Sequence, residues 1–398
     1  MKKLAERALN ITPSVTLSID AKAKQMAGQG IKVVNFGVGE PDFDTPAHIA
    51  AAGIAAIEAG YTRYTPSSGT DKLRQAICQK LQSENQLSYH PAQIVVSNGA
   101  KHSIYNALLA LCDPGDEVIV PAPYWVSYPE MVKMAGGVPK ILDTREEEDF
   151  KVRPEELVAA ITPRTKVLIL NSPSNPTGMV YSASELKIIA EICVQHQVYV
   201  ISDEIYEKLI YDGAKHVSMA SFGPDIKELT VVVNGMSKAY AMTGWRIGYT
   251  ASNSALAAAM GSLQSHATSN PNSIAQAASV EALCGSQAAI GEMLQEFARR
   301  RLRMVELLNL LPGVSCRMPQ GAFYVLANIS QLLGMPYGGE VIFDDVRLAG
   351  VMLDKAHVAV VPGSGFGARN YIRLSYATSM ENIEAGVSRI RTYITTPY

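Results

Sequence analysis

Ser237-Lys238-Ala239-Tyr240-Ala241-Met242-Thr243-Gly244-Trp245-Arg246-Ile247-Gly248-Tyr249 lies between two apolar, strand-like runs at 229–234 and 246–250. A lysine on a short loop between strands can attack a carbonyl ligand and form an imine. An arginine eight positions later can clamp a phosphate on that ligand with paired, charge-assisted hydrogen bonds. An imine-forming lysine with a phosphate-clamping arginine is what pyridoxal phosphate requires. Alone, the pair reads more simply as a solvated lysine and a surface arginine, because most lysines are only hydrated. The surrounding motifs decide between the two readings.

Outward from this loop, strand and helix patterns alternate. Short runs rich in β-branched residues recur at 93–97, 117–120, 166–170 and 198–202, in addition to 229–234 and 246–250. They lack polar alternation, as expected of strands buried on both faces between helices. Thr45-Pro46 is expected to cap and open a helix that Gly60 ends. Leu73, Ile77 and Leu81 form a helical stripe, as do Ile104, Leu108 and Leu111 after Asn98-Gly99-Ala100. Ser182 with Glu185 forms a capping box ahead of Leu186, Ile189 and Cys193. The fold class is therefore α/β with a mostly parallel open sheet. Beyond residue 285 the pattern changes to a long helix at 287–311, strands at 322–326, 358–361 and 371–375, and a last helix at 380–392. That is the outline of a smaller α+β unit. The expected division is an arm at 1–14, part of the small domain at 15–45, a large domain at 46–285 and a small C-terminal domain at 286–398. Glu146-Glu147-Glu148-Asp149 reads as a solvated turn, and Arg299-Arg300-Arg301 with Arg303 as a water-facing helix surface.

Bulk properties narrow the partners. A chain of 398 residues is too long for one ordinary core. Hydrophobic content of 47% and charged content of 18% describe a globular protein without a lipid-spanning run. A net charge of −2 argues against nucleic acid or an anionic membrane as the main partner. The N-terminus lacks the apolar core of a signal peptide. Five widely spaced cysteines give neither a disulfide framework nor a zinc motif. The expectation is a reducing, cytoplasmic setting with no metal.

In open α/β sheets, ligands bind beyond the carboxyl ends of the strands, and each further motif sits at such an end. Asp203, in Ser202-Asp203-Glu204-Ile205-Tyr206, could hold the pyridine nitrogen protonated, or simply cap a helix. Asn175, in the proline-rich turn 171–178, and Tyr206 could donate to the phenolic oxygen of the ring; the plain alternatives are a rigid loop and a half-buried aromatic. Gly99, Ala100 and Lys101 open a helix whose first N–H groups favour a phosphate, with Ser237 and Arg246 adding to it. Trp125 offers a stacking face or a core contact. Arg373 stands inside the apolar run 370–376, where its fork would meet either an α-carboxylate or a structural ion-pair partner. Gly39, in Gly37-Val38-Gly39-Glu40-Pro41-Asp42-Phe43, could bring backbone near the same carboxylate. Neither this segment nor 363–367 has the dinucleotide-binding spacing.

Together these residues resemble a known family. Gly39-Glu40-Pro41-Asp42-Phe43-Asp44-Thr45-Pro46, Tyr61-Thr62-Arg63-Tyr64, Pro123-Tyr124-Trp125, Asn175-Pro176-Thr177-Gly178, Asp203-Glu204-Ile205-Tyr206, the Lys238 segment and Arg373 follow the order and spacing of class I aminotransferases of pyridoxal-phosphate fold type I. Within that class the chain is most similar to the bacterial-type aspartate aminotransferases, from about residue 13 to 393. The resemblance implies a seven-stranded large domain and a homodimer with shared active sites. It implies Lys238 as imine-forming and proton-shuttling amine, Asp203 as pyridinium partner, and Asn175 and Tyr206 as phenolate donors. Trp125 would stack on the ring. Gly99, Ala100, Lys101, Ser237 and Arg246 would surround the phosphate, with Tyr64 reaching it from the neighbouring subunit. Arg373 and Gly39 would take the α-carboxylate. Lys101 and Thr16 match the positions that receive an acidic substrate side chain in the bacterial-type subgroup. Some relatives carry serine where this chain has Gly235. The implied activity is ping-pong transfer of the amino group of aspartate or glutamate to oxaloacetate or 2-oxoglutarate. Prephenate is an alternative acceptor, and β-elimination from cysteine conjugates a more distant alternative. A cofactor-sensing transcription regulator would need a DNA-binding domain ahead of residue 13, for which there is no room in this sequence.

Overall fold

The computed structural model of the chain describes residues 3–337 and 340–396. Met1 and Lys2 of the expected arm, and Gly338, Gly339, Pro397 and Tyr398 of the expected C-terminal unit, lie outside the described residues.

Seven strands build the main sheet: β1 (Ile94–Ser97), β2 (Glu117–Ala122), β3 (Val138–Asp143), β4 (Thr165–Asn171), β5 (Tyr199–Asp203), β6 (Thr230–Gly235) and β7 (Gly248–Ala251). Their order across the sheet is β1-β7-β6-β5-β4-β2-β3. Only β7 runs antiparallel to its neighbours, β1 and β6. The centre of the sheet is apolar on both faces: Val167, Leu168, Val200, Ile201, Val231, Val232 and Val233 are all buried. Helices Ala100–Leu111 and Ala183–His196 cover opposite faces, one through Ile104 and Leu108, the other through Leu186, Ile189 and Cys193. The Ser182–Glu185 capping box is present, each partner bonding the other's backbone.

Four expectations about local structure need correction. First, β3 was not visible as a strand. It is an edge strand whose residues are exposed or half-buried, and Pro139 and Lys140 break its apolar run. Second, helix Ala47–Glu58 has Pro46 at its N-cap, and the Thr45 hydroxyl donates instead to the Ala241 carbonyl, 2.8 Å away. Third, the arginine run does not form one wet surface. Successive helical residues point 100° apart, so Arg300 and Arg301 turn inward from helix Ala288–Asn309. Arg301 is fully buried, with Nη1 donating to Pro319 O at 2.7 Å and Nη2 to Asp212 Oδ2 at 2.6 Å. Fourth, Glu146 is more than a solvated turn residue: its Oε2 accepts from Tyr371 Oη at 2.7 Å and Asn328 Nδ2 at 2.9 Å.

A second, antiparallel sheet has the order Val361–Pro362, Tyr371–Ser375, Tyr324–Asn328, Ser315–Cys316. The single strand expected at 358–361 is divided. Val358–Ala359 pairs in parallel with Val34–Asn35, and Val361–Pro362 joins Tyr371–Ser375. Val34 and Phe36 therefore pack in one core with Phe297, Leu374 and Ile383, which brings the N-terminal segment beside the C-terminal elements. The Gly37–Glu40 loop leaves this core and crosses the carboxyl end of the main sheet.

Candidate active site

The carboxyl ends of β4, β5 and β6 face a cavity of about 400 Å³. Lys238 enters it from the loop after β6. Its Nζ donates to Gly39 O at 2.6 Å and lies 5.8 and 5.7 Å from the ring centroids of Tyr206 and Phe323. Burial brings its pKa down to about 8, with Arg246 and Arg373 pushing the same way and Glu40 and Asp203 resisting. A pKa near 8 leaves about a tenth of the amine neutral at pH 7, against almost none for an ordinary lysine, and that fraction can act as nucleophile and base.

Asp203 ends β5 and is buried. Its Oδ2 accepts from Tyr128 Oη at 2.6 Å and its Oδ1 from Ile205 N at 3.3 Å. The second contact is the local turn bond of the plain reading, yet the carboxylate also lines the cavity. Among the described residues no lysine, arginine or histidine forms an ion pair with it. Burial raises its pKa to about 6, against the pull of the Tyr128 bond. Asn171, the last residue of β4, ties the neighbouring turn in place: its Nδ2 donates to Asp203 O at 2.9 Å and its Oδ1 accepts from Asn175 N at 2.8 Å.

Arg373 projects from the middle of Tyr371–Ser375 and is 2% exposed. Nη1 donates to Asn175 Oδ1 at 3.0 Å and Nη2 to Gly37 O at 2.8 Å, while Nε has no partner. Its guanidinium carbon stands 4.4 Å from the Tyr324 ring centroid and 4.9 Å from that of Phe366. No acidic side chain pairs with it among the described residues, which removes the structural ion-pair reading. Burial lowers its pKa from the ordinary value. Tyr206 Oη and Tyr324 Oη lie 3.0 Å apart beside it, and burial holds the Tyr206 phenol far above its ordinary pKa.

The opposite end of the cavity is built for an anion. Gly99, at φ +87°, caps helix Ala100–Leu111. Its carbonyl accepts from the amides of His102 and Ser103, leaving those of Ala100 and Lys101 unbonded. Arg246 adopts the left-handed region at φ +58° and, among the described residues, donates only to the carbonyls of Thr243 and Asn98, at 2.8 and 3.3 Å. A side chain on Gly99 would collide with this guanidinium. Gly235 is explained in the same way: a Cβ there would lie 2.8 Å from Ile247 O and 2.9 Å from Gly248 Cα, too close for serine. Ser237 lines this end. Trp125 borders the cavity, edge-on to Tyr128 at 5.4 Å, with Lys101 Nζ 4.9 Å from its ring. Burial, then Arg246, lowers the Lys101 pKa. Thr16 faces the same mouth, its Oγ1 2.8 Å from Ser14 Oγ.

Twelve of the expected residues thus meet in one cavity: Thr16, Gly39, Ala100, Lys101, Trp125, Asn175, Asp203, Tyr206, Ser237, Lys238, Arg246 and Arg373. Gly99 adjoins it through Arg246. Tyr64 does not enter the cavity of its own chain and is 90% exposed. Sequence reasoning gave no role to Tyr128, Tyr324 or Asn171, which all line the cavity. Of the three, Tyr128 lies three residues beyond Trp125, in helix Ser127–Met134.

Comparison with known proteins agrees with this geometry. The family model for aminotransferase class I and II matches residues 31–390. The chain is 50% identical to an aspartate aminotransferase of Geobacillus stearothermophilus over 98% of its own length and 99% of the relative's. It is 46% identical to an aspartate/prephenate aminotransferase of Nitrosomonas europaea over 98% of each chain. The solved aspartate aminotransferase of Rhizobium meliloti superposes with a TM-score of 0.96 at 44% identity, over 99% of both chains. The fold is therefore the α/β fold type I of the pyridoxal-phosphate transferases. A match over most of the chain, on top of a cavity that gathers the motif residues, leads to one conclusion: this chain belongs to the class I and II aminotransferases.

Proposed function

We propose that the chain binds pyridoxal phosphate and transfers the amino group of aspartate or glutamate to a 2-oxo acid. The cavity fits the cofactor at three points. An ionisable carboxylate without a cation, Asp203, suits a protonated ring nitrogen. An amine of lowered pKa, Lys238, suits the aldehyde. Two open helix amides with Ser237 and Arg246 suit the phosphate. When bound, the cofactor would supply an electron sink for the pair left behind when the substrate Cα–H bond breaks.

The protein's own groups do the rest. Lys238 takes the α-proton and returns it on the other side of the exchange. Asp203, supported by Tyr128, holds the ring cationic. Asn175 and Tyr206 would stabilise negative charge on the phenolic oxygen, and Trp125 would offer its face to the ring. Arg373 takes the substrate α-carboxylate, with Gly39 alongside. Lys101 and Thr16 receive the acidic side chain. Closure of the C-terminal unit (286–398, with 15–45) over the large unit (46–285) excludes water from the reacting atoms. Tyr64 completes the phosphate site of a neighbouring subunit in a homodimer, in a reducing, cytoplasmic setting.

The observation that carries the reading is Arg373: a buried guanidinium with no carboxylate partner and an unpaired Nε among the described residues, lining the same cavity as a lysine of lowered pKa. Burying such a charge costs several kcal/mol unless a ligand offsets it. A panel of amino donors against oxaloacetate, 2-oxoglutarate and prephenate tests the proposal. Aspartate and glutamate are expected to exceed alanine and phenylalanine by at least about tenfold in kcat/KM, and Lys101→Ala to erase most of that preference. Equal losses for all four donors would remove Lys101 from substrate choice. The similarity to the aspartate/prephenate relative favours prephenate as a second acceptor, and the same panel reads it directly.

A further inference from the structure

Behind the turn that carries Asp203 and Tyr206 lies a closed cluster of charged side chains that the proposed reaction does not use. The turn Asp203-Glu204-Ile205-Tyr206-Glu207 points Asp203 and Tyr206 into the cavity. Glu204 and Glu207 face the other way. Glu204 Oε1 accepts from Ser202 Oγ at 2.8 Å and Ser218 Oγ at 2.7 Å, and its Oε2 is paired with His216 Nε2 at 3.0 Å. Glu207 Oε1 is paired with Lys80 Nζ, and its Oε2 accepts from Asn85 Nδ2 at 2.9 Å. The side chains of Lys80, Glu204, Glu207 and His216 are at most 8% exposed.

Ligand atoms of Glu204, Glu207 and His216 come within 4.8 Å of one another, a spacing a metal ion could use. The hydrogen bonds argue otherwise. Each of the four carboxylate oxygens already has a donor, and Lys80 occupies the oxygen a cation would need. The cluster is instead a problem in charge balance. Two buried carboxylates face one buried ammonium, and Glu84, 3.7 Å from Lys80, is shared with Lys208 on the rim. The second carboxylate needs a second cation, because an unpaired buried charge is strongly destabilising. His216 is the group in contact with it. Its Nε2 carries the proton shared with Glu204; its Nδ1 has no partner among the described residues, so a second proton there is opposed by burial and sustained only by the two carboxylates.

We propose that His216, as an imidazolium, is a positioning residue for the cofactor-facing turn: by neutralising Glu204 it fixes the backbone from which Asp203 and Tyr206 project. The proposal rests on the reading of Asp203 and Tyr206 as cofactor contacts. The groups facing His216 agree with it. Burial opposes the charged imidazole, but Glu204 and then Glu207, both from the turn, favour it, and only Lys80, from helix Asp71–Asn85, works against it; the net effect is a raised pKa. Glu207 is held down to about 2, where burial is outweighed by Lys80 and His216. The charge pattern also makes the device pH-dependent. A folded-state pKa raised above the unfolded value contributes stability that is complete below the unfolded pKa and is lost as pH rises through the folded one.

The test uses protein loaded with pyridoxal phosphate and two variants, His216→Gln and the double variant His216→Gln/Glu204→Gln. The glutamine in the first keeps a donor towards Glu204 without the charge, and the double variant restores neutrality. The readouts are the dissociation constant of the cofactor and the pH midpoint of its lysine-linked absorbance band. The single variant is expected to weaken cofactor binding about tenfold and to move the midpoint by about 0.5–1 pH unit. It should lower kcat more than it changes KM for aspartate. The double variant should return both readouts towards wild type. An unmoved midpoint and affinity in His216→Gln, or a double variant as impaired as the single, overturns the proposal. If His216→Gln does not fold, the double variant decides alone, and a displaced midpoint there is fatal. A wild-type protein without any pH-dependent band sinks the underlying cofactor reading instead, and the proposal with it.

Discussion

At the scale of single residues, burial shifts the pKa values of Lys238 and Asp203 towards neutrality, one down and the other up. For the lysine the consequence is kinetic. Loading of the cofactor onto the apoprotein should accelerate with pH around a midpoint near 8 rather than the ordinary 10.5, measured by stopped-flow absorbance. Lys238→Ala should abolish the band, and a midpoint near 10.5 in the wild type would contradict the buried amine. For Asp203 the consequence is thermodynamic. Its pKa rises from 3.8 to about 6 on folding, so the native state binds more protons than the unfolded one across that window. The group therefore costs stability that appears as pH rises through the window and is complete above about 6. Asp203→Asn should raise the stability of the apoprotein by up to about 3 kcal/mol at pH 8, with the gain shrinking towards pH 4, while nearly abolishing turnover. Apoprotein melting curves at the two pH values check this. These residues were legible because their motifs are local in sequence. Tyr128 and Tyr324 were not, since each gains its meaning from a partner on another element, Asp203 at 2.6 Å and Tyr206 at 3.0 Å. Arg373 stood between: its place in an apolar run signalled importance, but only the absence of an acidic neighbour could choose between ligand and ion pair.

At the scale of elements, legibility followed burial. Strands β4, β5 and β6 were readable because apolar runs covered on both faces have no polar alternation to confuse them. Edge strand β3 was missed because half its side chains face water. The arginine run in helix Ala288–Asn309 looks like one wet surface by composition, but the helical period divides it, burying Arg300 and Arg301. The helix itself sorts these side chains. Arg299 is exposed and bonds only Glu296, one turn back, whereas Arg301 lies under Tyr211 with its guanidinium carbon 4.5 Å from the ring centroid. Arg299→Ala should therefore change stability by no more than about 0.5 kcal/mol. Arg301→Ala should cost about 2–4 kcal/mol, because it opens a cavity and leaves the Pro319 carbonyl without its donor. Denaturant midpoints at constant m-value distinguish the two. Comparable losses would mean that the inward turn of Arg301 contributes little.

At the scale of the whole molecule, the anion-binding end of the cavity is the part that the proposed dimer would complete. Among the described residues Arg246 reaches two carbonyls but no carboxylate, and Tyr64, the tyrosine that the resemblance matches to this end, stands 90% exposed outside its own cavity. An exposed aromatic of that size is costly to leave in water and suits an interface. Ile54 and Ile57, from the preceding helix, and Tyr61 are exposed as well. In a two-fold dimer each chain would offer Tyr64 to the other, so every site would draw on two chains. Subunit mixing tests that arrangement without a structure of the complex. Lys238→Ala and Tyr64→Ala homodimers should each be defective, the first completely and the second through weakened cofactor binding. After exchange, half of the dimers would be hybrids. In each hybrid one site combines an intact Lys238 with an intact Tyr64 from the other chain, so about a quarter of all sites should regain native turnover. If Tyr64 acted within its own chain, no hybrid site could regain both residues, and mixing would leave activity at the average of the two parents.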